Sequence, residues 1–271
     1  MSLPGGQLTV GPAFISDGDV QGLLFDCDGT LLDSMPLFLD SWLAVCPGFS
    51  LSMTMDAFYG FAGMPLPDIV RELHRTQLGG EATEQFVSDF LAAKKANHQQ
   101  NESKAGHPAR IECVCALARA AEAAGVPVAI ATSGLRDHVE SHLHHAGLSD
   151  LFNAKKNNIV CAADVPKGKP APDIFVEAAR RIGADPARCR AFEDGESGLQ
   201  SAYLAGCHVI DVTYMDGYPS CDGLRRAKAA QAQSRDWVKK ERRAALVTAA
   251  GLAALAVGIG LAAAWLKPVR K

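Results

Sequence analysis

Two aspartates that stand two residues apart are the most distinctive chemical feature of the sequence. Asp26 and Asp28 follow the apolar run 20–25, which is typical of a buried strand, and Gly29 marks the turn that ends it. Side chains alternate along an extended chain, so both carboxylates project to the same side. Neighbouring carboxylates repel each other unless a cation lies between them, and Mg²⁺ takes oxygen ligands. The pattern predicts a cation site, although Asp-x-Asp-Gly by itself fits a surface turn equally well.

Further polar side chains follow three later apolar runs, each near the point where a strand is predicted to end. They are Thr132 and Ser133 after the second strand, Lys167 and Lys169 in the loop after the third, and Glu193 and Asp194 after the fourth. The carboxyl ends of parallel strands meet at one edge of a sheet, so we expect these groups beside the two aspartates. Three acids suit Mg²⁺, a hydroxyl and backbone N–H groups hold a phosphate, and a lysine neutralises its charge.

The elements that must position these groups alternate between strand and helix. After Pro108, apolar runs alternate with helical segments of about 10 to 15 residues, which indicates a parallel sheet covered on both faces. Residues 34–107 interrupt this pattern, because their apolar residues have helical spacing. The sequence therefore predicts an α/β fold with a Rossmann-like parallel sheet core and a helical cap domain inserted after the first strand.

Composition narrows the class of protein. The chain has 271 residues, of which 48% are hydrophobic and 21% charged, as in ordinary globular proteins. The net charge of −3 gives no case for a nucleic-acid partner.

None of the eight cysteines forms a Cys-x-x-Cys pair, so we expect buried thiols in a reducing compartment. The N-terminal stretch lacks the basic start and apolar core of a secretory signal, which predicts a flexible lead-in.

Four motifs in order along the chain carry a family resemblance. They are residues 26–31 (Asp-Cys-Asp-Gly-Thr-Leu), 132–134 (Thr-Ser-Gly), 168–173 (Gly-Lys-Pro-Ala-Pro-Asp) and 192–194 (Phe-Glu-Asp). With them the chain resembles the haloacid-dehalogenase-like hydrolase superfamily over roughly residues 20–215. The likeness is to the branch that includes β-phosphoglucomutase and small sugar-phosphate phosphatases. The helical insertion is similar to the cap domain of that branch.

The resemblance implies a mechanism for the paired acids. Asp26 is expected to be the nucleophile that takes the phosphoryl group as an aspartyl-phosphate. Asp28 is expected to protonate the leaving oxygen and then to deprotonate the attacking water. The implied Mg²⁺ ligands are Asp26, the backbone carbonyl of Asp28, Asp194 and Glu193.

The resemblance also implies how the phosphate is held. Thr132 is expected to donate its hydroxyl to the phosphoryl group, with help from the N–H of Ser133. Lys169 is expected to balance the charge of the nucleophile and the phosphoryl group. Lys167 is the alternative, but the proline-flanked position of Lys169 matches the family pattern better.

One position in the cap departs from the mutase pattern. Mutases of this branch grip a distal phosphate with a cap arginine, and Leu66 occupies that place here. The difference favours a phosphatase over β-phosphoglucomutase-like phosphoryl transfer.

Two sets of basic side chains are interpreted as exposed helix faces. In the cap these are Arg71, His74 and Lys94, for which substrate contact is the alternative. In a later helix these are His142, His144 and His145, for which metal binding is the alternative.

The C-terminal part of the sequence predicts a membrane anchor. Residues 244–266 carry no charge, and as a helix they are long enough to cross about 30 Å of hydrocarbon. Trp265 lies at the end of this run, where aromatic residues prefer the interface, and basic residues flank both sides. An alanine-rich or buried helix is the alternative. We expect a single-pass tail anchor that holds the catalytic domain on the cytosolic face.

These interpretations predict a domain organisation and a function. The segments are a flexible N-terminus (1–16), an α/β core (17–33 and 108–222), a helical cap (34–107), a basic helical linker (223–243), a transmembrane helix (244–266) and a basic tail (267–271). The predicted function is a Mg²⁺-dependent phosphatase acting on a small phosphorylated metabolite. A non-catalytic, membrane-tethered binding protein is the alternative.

Overall fold

The computed structural model describes residues 19–62 and 64–234, and a five-stranded parallel sheet lies at their centre. The strands are β1 (Gly22–Phe25), β2 (Val128–Thr132), β3 (Ile159–Cys161), β4 (Cys189–Glu193) and β5 (His208–Asp211). Their order is β3-β2-β1-β4-β5, so β1 lies between β2 and β4. The predicted α/β fold with a parallel sheet is confirmed.

The segment inserted after β1 is built from helices. These are α1 (Met35–Val45), α2 (Met55–Gly60), α3 (Leu66–Gln77) and α4 (Glu84–Ala105). Thr83 begins α4, because its side-chain oxygen accepts a hydrogen bond from the N–H of Phe86. The cap has an apolar cluster of its own, in which the rings of Trp42 and Phe90 lie 5.2 Å apart. This apolar cluster contains no residue of the five strands, so the inserted helices pack around a core distinct from those of the sheet.

Four helices connect the strands of the sheet. They are α5 (Glu112–Ala123), α6 (Arg136–His145), α7 (Asp173–Arg181) and α8 (Glu196–Leu204). In β1, Leu23 and Phe25 belong to one buried cluster and Leu24 to another, because alternate side chains point to opposite faces. Both faces of the sheet are thus covered, which explains why β1 is apolar without interruption.

The register of the sheet sets the position of the residues that follow each strand. Phe25 pairs with Ile130 of β2 on one side and with Phe192 of β4 on the other. Asp26 is the next residue after Phe25, and Glu193 is the next after Phe192. The end of β1 is therefore flanked by the ends of β2 and β4.

A last described helix, α9 (Asp222–Ser234), follows β5 and begins where the basic linker is predicted. Leu224 and Ala227 are buried in the apolar cluster of the cap. Arg226 forms an ion pair of 2.7 Å with Asp56 of α2. The compact unit that contains the sheet and the cap extends to Ala229, so the first part of the predicted linker is a packed helix.

Among the described residues, none of the helices combines the length and apolar character that crossing a membrane requires. The predicted anchor (244–266), the basic tail (267–271) and the N-terminal residues 1–16 lie outside the described residues.

Candidate active site

Three carboxylates converge where β1 and β4 end. One oxygen from each of Asp26, Glu193 and Asp194 lies within 4.8 Å of the other two, and all three residues are buried. The pairing of Phe25 with Phe192 brings them together from neighbouring strands. Hard divalent cations such as Mg²⁺ take carboxylate oxygens, so this donor set fits such an ion. We call these three residues the acid cluster.

Lys169 contacts two members of the acid cluster. Its Nζ donates hydrogen bonds to Oδ1 of Asp26 at 2.5 Å and to Oε1 of Glu193 at 2.7 Å. Nζ also lies 5.3 Å from the ring centre of Phe175, which is within the range of a cation–π contact. Lys167 is exposed, so Lys169 is the one of the two candidate lysines that contacts the acids.

Burial and mutual repulsion raise the pKa values of two acids in the acid cluster. Burial raises the pKa of Asp26 to about 7, Lys169 opposes this rise and Glu193 adds to it. Burial also raises the pKa of Asp194 well above its usual value, and the carboxylates of Glu193 and Asp26 add to the rise. Burial lowers the pKa of Lys169, but Asp26 and Glu193 outweigh it, so its net shift is upward. A bound cation would stabilise the ionised acids, so charge as well as donor type fits Mg²⁺.

Gly29 and Gly198 have no side chain at the places where the carboxylates of Asp194 and Glu193 lie. A Cβ added to Gly29, whose φ is +79°, would stand 2.3 Å from Oδ2 of Asp194. A Cβ added to Gly198 of α8 would stand 1.6 Å from Oε1 of Glu193. Thr30 then fixes the neighbouring carboxylate, because its hydroxyl donates to Oδ1 of Asp194 at 3.1 Å. The positions of Glu193 and Asp194 thus depend on the absence of side chains opposite them.

Asp28 and Thr132 lie next to each other beside the acid cluster. Oδ1 of Asp28 accepts a hydrogen bond of 2.8 Å from the hydroxyl of Ser34. A Cβ on Gly134 would stand 3.4 Å from Oδ2 of Asp28 and 3.3 Å from Oγ1 of Thr132, so both side chains border that glycine. Thr132 is buried and accepts from the N–H of Gly134 at 3.0 Å, whereas Ser133 is exposed. Asp28, Thr132, Lys169 and the acid cluster therefore lie together at the carboxyl edge of the sheet, where Ser133 follows Thr132 in the chain.

Sequence reasoning missed three groups that support this edge. Ser34 orients Asp28, and its position close to the motif was a usable signal. The hydroxyl of Tyr218 donates to the backbone oxygen of Gly29 at 2.7 Å. The ammonium of Lys228 donates to the backbone oxygen of Asp194. Tyr218 and Lys228 reach the site only through the packing of the C-terminal segment, so no motif or spacing identifies them.

Lys94 is buried in the cap, and its interpretation as part of a solvated helix face is wrong. It is 7% exposed, and its Nζ lies 5.6 Å from the ring centre of Phe38 and 5.4 Å from that of Trp42. Burial lowers the pKa of Lys94 to about 8. Lys94 is buried because α1 packs over this turn of α4. The sequence of α4 alone does not reveal this packing. Arg71 fits the solvated interpretation better, since it pairs with exposed Glu84.

His142 is also buried, so the prediction of an exposed histidine face is wrong at this residue. Its Nε2 lies 2.6 Å from Oε1 of Glu102, because the end of α4 covers that side of α6. His144 and His145 are exposed, as predicted. In the described part of the chain, these histidines do not bring three metal-ligand atoms together.

His98 lies on the same buried face of α4 as Lys94, and its Nδ1 is 3.4 Å from the hydroxyl of Ser41. Burial lowers the pKa of His98, Glu102 opposes this, and smaller contributions come from Lys94 and from Asp28. The ring of His98 lies 4.9 Å from that of Phe38, the same ring that Lys94 covers. Lys94 and His98 therefore pack against α1 on one face of α4.

Comparison with protein families gives one match over most of the chain. The sequence profile of haloacid dehalogenase-like hydrolases matches residues 20–206. Fructose-1-phosphate phosphatase YqaB of Escherichia coli (strain K12) is 31% identical over 199 residues, which are 70% of this chain and 95% of that protein. Hexitol phosphatase A of the same organism is 28% identical over 202 residues, which are 71% of this chain and 82% of that protein.

Solved structures share the fold. A protein of Bacteroides vulgatus, provisionally described as a beta-phosphoglucomutase, has a TM-score of 0.61 at 25% identity and covers 77% of this chain and 81% of its own. A HAD family hydrolase of Deinococcus radiodurans R1 with bound phosphate and sodium has a TM-score of 0.56 at 26% identity. It covers 79% of this chain and 89% of its own.

Proposed function

The chain belongs to the haloacid dehalogenase-like hydrolase family and is a phosphoric monoester hydrolase, and we propose that it hydrolyses a small sugar phosphate or similar metabolite with Mg²⁺. The likeness to a fructose-1-phosphate phosphatase and to a hexitol phosphatase supports this substrate class. The observation that carries the proposal is the convergence of three buried carboxylates, one of them paired with Lys169 at 2.5 Å.

Four groups of this chain would hold the cation: the carboxylates of Asp26, Glu193 and Asp194 and the backbone carbonyl of Asp28. When bound, Mg²⁺ neutralises the charge of the transferring phosphoryl group and of its own oxygen ligands. Glu193 also accepts hydrogen bonds from Lys169 at 2.7 Å and from the N–H of Gly195 at 2.6 Å. We therefore expect Glu193 to contribute negative charge and to orient Lys169 more than to form a strong bond to the metal.

The reaction begins at Asp26. Its carboxylate attacks phosphorus, the bond to the leaving-group oxygen breaks, and an aspartyl-phosphate forms. Lys169 stabilises the ionised carboxylate before the attack and the phosphoryl charge during it. Asp28, held by Ser34, gives a proton to the leaving oxygen and later takes one from the water that hydrolyses the intermediate.

The phosphoryl oxygens are held where β2 ends and α6 begins. The hydroxyl of Thr132 and the N–H of Ser133 are the donors expected there. A hydroxyl and a backbone N–H before a helix start suit an anion, because helix N-termini carry partial positive charge.

The cap favours a phosphatase over a mutase, which moves a phosphoryl group between two positions of a sugar. Leu66, where a mutase needs a cation for a second phosphate, is 45% exposed at the start of α3. Lys94 and His98 both contact Phe38 of α1, and we expect this face of the cap to lie beside the leaving group.

Membrane attachment through residues 244–266 is part of the proposal and rests on sequence alone. The segment is uncharged and flanked by basic residues, as in tail-anchored proteins. Carbonate extraction of membranes is expected to leave the full-length protein in the membrane fraction. Release into the soluble fraction would contradict the anchor.

Phosphate release from a panel of sugar phosphates and hexitol phosphates, with and without Mg²⁺, tests the function. We expect turnover only with Mg²⁺ and a loss of about 10³-fold or more in Asp26→Asn. Asp40→Asn, a change at an exposed aspartate of α1, serves as the matched control with parent activity. Parent-like turnover by Asp26→Asn would exclude it as nucleophile. No turnover of any phosphoester by the parent would favour a binding protein instead.

A further inference from the structure

Lys228 is a buried lysine that no step of the proposed reaction uses. It is 3% exposed and lies on α9, in a stretch whose composition predicts a basic linker. Its ammonium donates a hydrogen bond to the backbone oxygen of Asp194 and lies 3.3 Å from Oδ2 of Asp211. Lysine is rarely buried unless it is paired, so the two contacts explain why it is tolerated there.

The two partners of Lys228 lie where neighbouring strands end: Asp194 directly follows β4, and Asp211 is the last residue of β5. Glu193, the residue before Asp194, pairs with Asp211 in the register of β4 and β5. Asp211 is itself fixed, because its Oδ1 accepts from the hydroxyl of Thr213 at 2.6 Å and from the N–H of Thr213 at 3.2 Å. Lys228 therefore bridges the ends of β4 and β5 at the point where β4 delivers the acid cluster.

The position of α9 is set by contacts on the cap. Leu224 and Ala227 lie in the apolar cluster of the cap, and Arg226 pairs with Asp56. Gly223 allows close approach, since a Cβ there would stand 2.7 Å from Cγ of Met55. Several independent contacts hold α9 on the cap, so the position of Lys228 next to Asp194 does not depend on any one of them.

The ammonium groups of Lys169 and Lys228 contact different parts of the acid cluster, and this leaves the carboxylate of Asp194 available to a metal ion. Lys169 contacts the side chains of Asp26 and Glu193, whereas Lys228 contacts the backbone of Asp194. A contact at the backbone oxygen holds the turn after β4 without occupying the carboxylate. The carboxylate of Asp194 stays oriented by Thr30 and open to a cation.

We propose that Lys228 is a positioning residue of the metal site, which fixes the backbone of Asp194 so that its carboxylate faces the cation. The inference rests on the proposed Mg²⁺-dependent function and extends the active site to the C-terminal helix. Groups that support metal ligands without touching the ion affect metal affinity strongly, often by 10-fold to 100-fold.

The test is the dissociation constant for Mg²⁺, measured by isothermal titration calorimetry on the full-length protein without substrate. Lys228→Met keeps the apolar stem and removes the ammonium, and we expect Mg²⁺ to bind about tenfold more weakly or worse. Lys228→Arg restores a cationic donor and should recover part of the affinity. Arg225→Met, which removes a positive charge from an exposed position of the same helix, should bind Mg²⁺ like the parent.

A merely structural role would give a different pattern. It would lower the temperature of unfolding of Lys228→Met and leave Mg²⁺ affinity of the folded protein unchanged, and that result overturns the inference. If Lys228→Met does not fold, Lys228→Gln decides, because its side chain is neutral and one bond shorter, so it withdraws the donor from the backbone oxygen of Asp194 but keeps a polar end in the buried space. Parent-like affinity in Lys228→Gln, or failure of both variants to fold, also overturns it.

Failure of the inference is distinguishable from failure of the proposed function. If the parent binds Mg²⁺ and Lys228→Met binds it equally well, only the role of Lys228 is refuted. If the parent itself does not bind Mg²⁺, the metal site and the function that depends on it are refuted together.

Discussion

The ammonium of Lys169 lies 2.5 Å from a carboxylate oxygen of Asp26, although the two residues are 143 positions apart in sequence. Their side chains are only 5% and 8% exposed. Burial alone would favour the protonated form of Asp26, and Lys169 works against this by favouring the ionised form. The pair therefore affects how much of Asp26, the proposed nucleophile, is ionised near neutral pH.

Lys169→Met is expected to lower kcat by about 10²-fold to 10³-fold, because it removes the positive charge from both the nucleophile and the phosphoryl group. Steady-state phosphate release with saturating Mg²⁺ measures the effect. Lys167→Met is the matched control, since that lysine is exposed two positions earlier, and it should retain parent kcat. Equal kcat in the parent and Lys169→Met would contradict the role of Lys169.

Gly198→Ala is expected to damage the site through Glu193. The added Cβ would stand 1.6 Å from Oε1 of Glu193, so the carboxylate must move. Alanine favours a helix over glycine by about 1 kcal/mol, but forcing atoms into a packed site costs about 1–3 kcal/mol. We expect a lower midpoint of thermal unfolding together with a lower kcat.

Gly48→Ala is the control for this change, because a Cβ at that glycine meets no atom within 4 Å. It should leave both the unfolding midpoint and kcat near the parent values. Unchanged kcat in Gly198→Ala would show that Glu193 does not need its present position.

The charge of Lys94 is expected to govern the pH dependence of substrate binding. Burial lowers its pKa to about 8, so Lys94 is cationic below that pH and neutral above it. An anionic substrate next to Lys94 loses an attractive charge as the pH rises, so KM should increase as the pH passes through about 8. In Lys94→Met, KM should be high and should lack this rise.

KM is measured from below to above that pH at constant Mg²⁺. Lys95→Met, which changes the neighbouring exposed lysine, should retain the rise of the parent. A rise in KM that persists unchanged in Lys94→Met would assign the titration to another group and remove Lys94 from the substrate site.

The main elements of the site could be predicted because they are local in sequence. Asp26 follows β1 and Glu193 is the last residue of β4, and the rule that parallel strands end at one edge was enough to bring them together. The bond from Lys169 to Asp26 needed the family resemblance, since spacing alone left Lys167 open as well.

What the sequence did not reveal depends on packing between distant elements. Lys94 lies under α1 and His142 under the end of α4, so their burial is a property of helix contacts and not of their own helices. Lys228 stands in a segment with linker-like composition, and only the docking of α9 on the cap carries it to Asp194.

Trapping of the phosphoryl group on the enzyme identifies the residue that accepts it. Protein quenched during turnover with Mg²⁺ and a sugar phosphate is reduced with borohydride, which converts an aspartyl-phosphate to homoserine, and the peptides are examined by mass spectrometry. We expect homoserine at position 26 when substrate is present, and none when substrate is omitted. Modification at another residue, or none while phosphate release continues, would contradict this expectation.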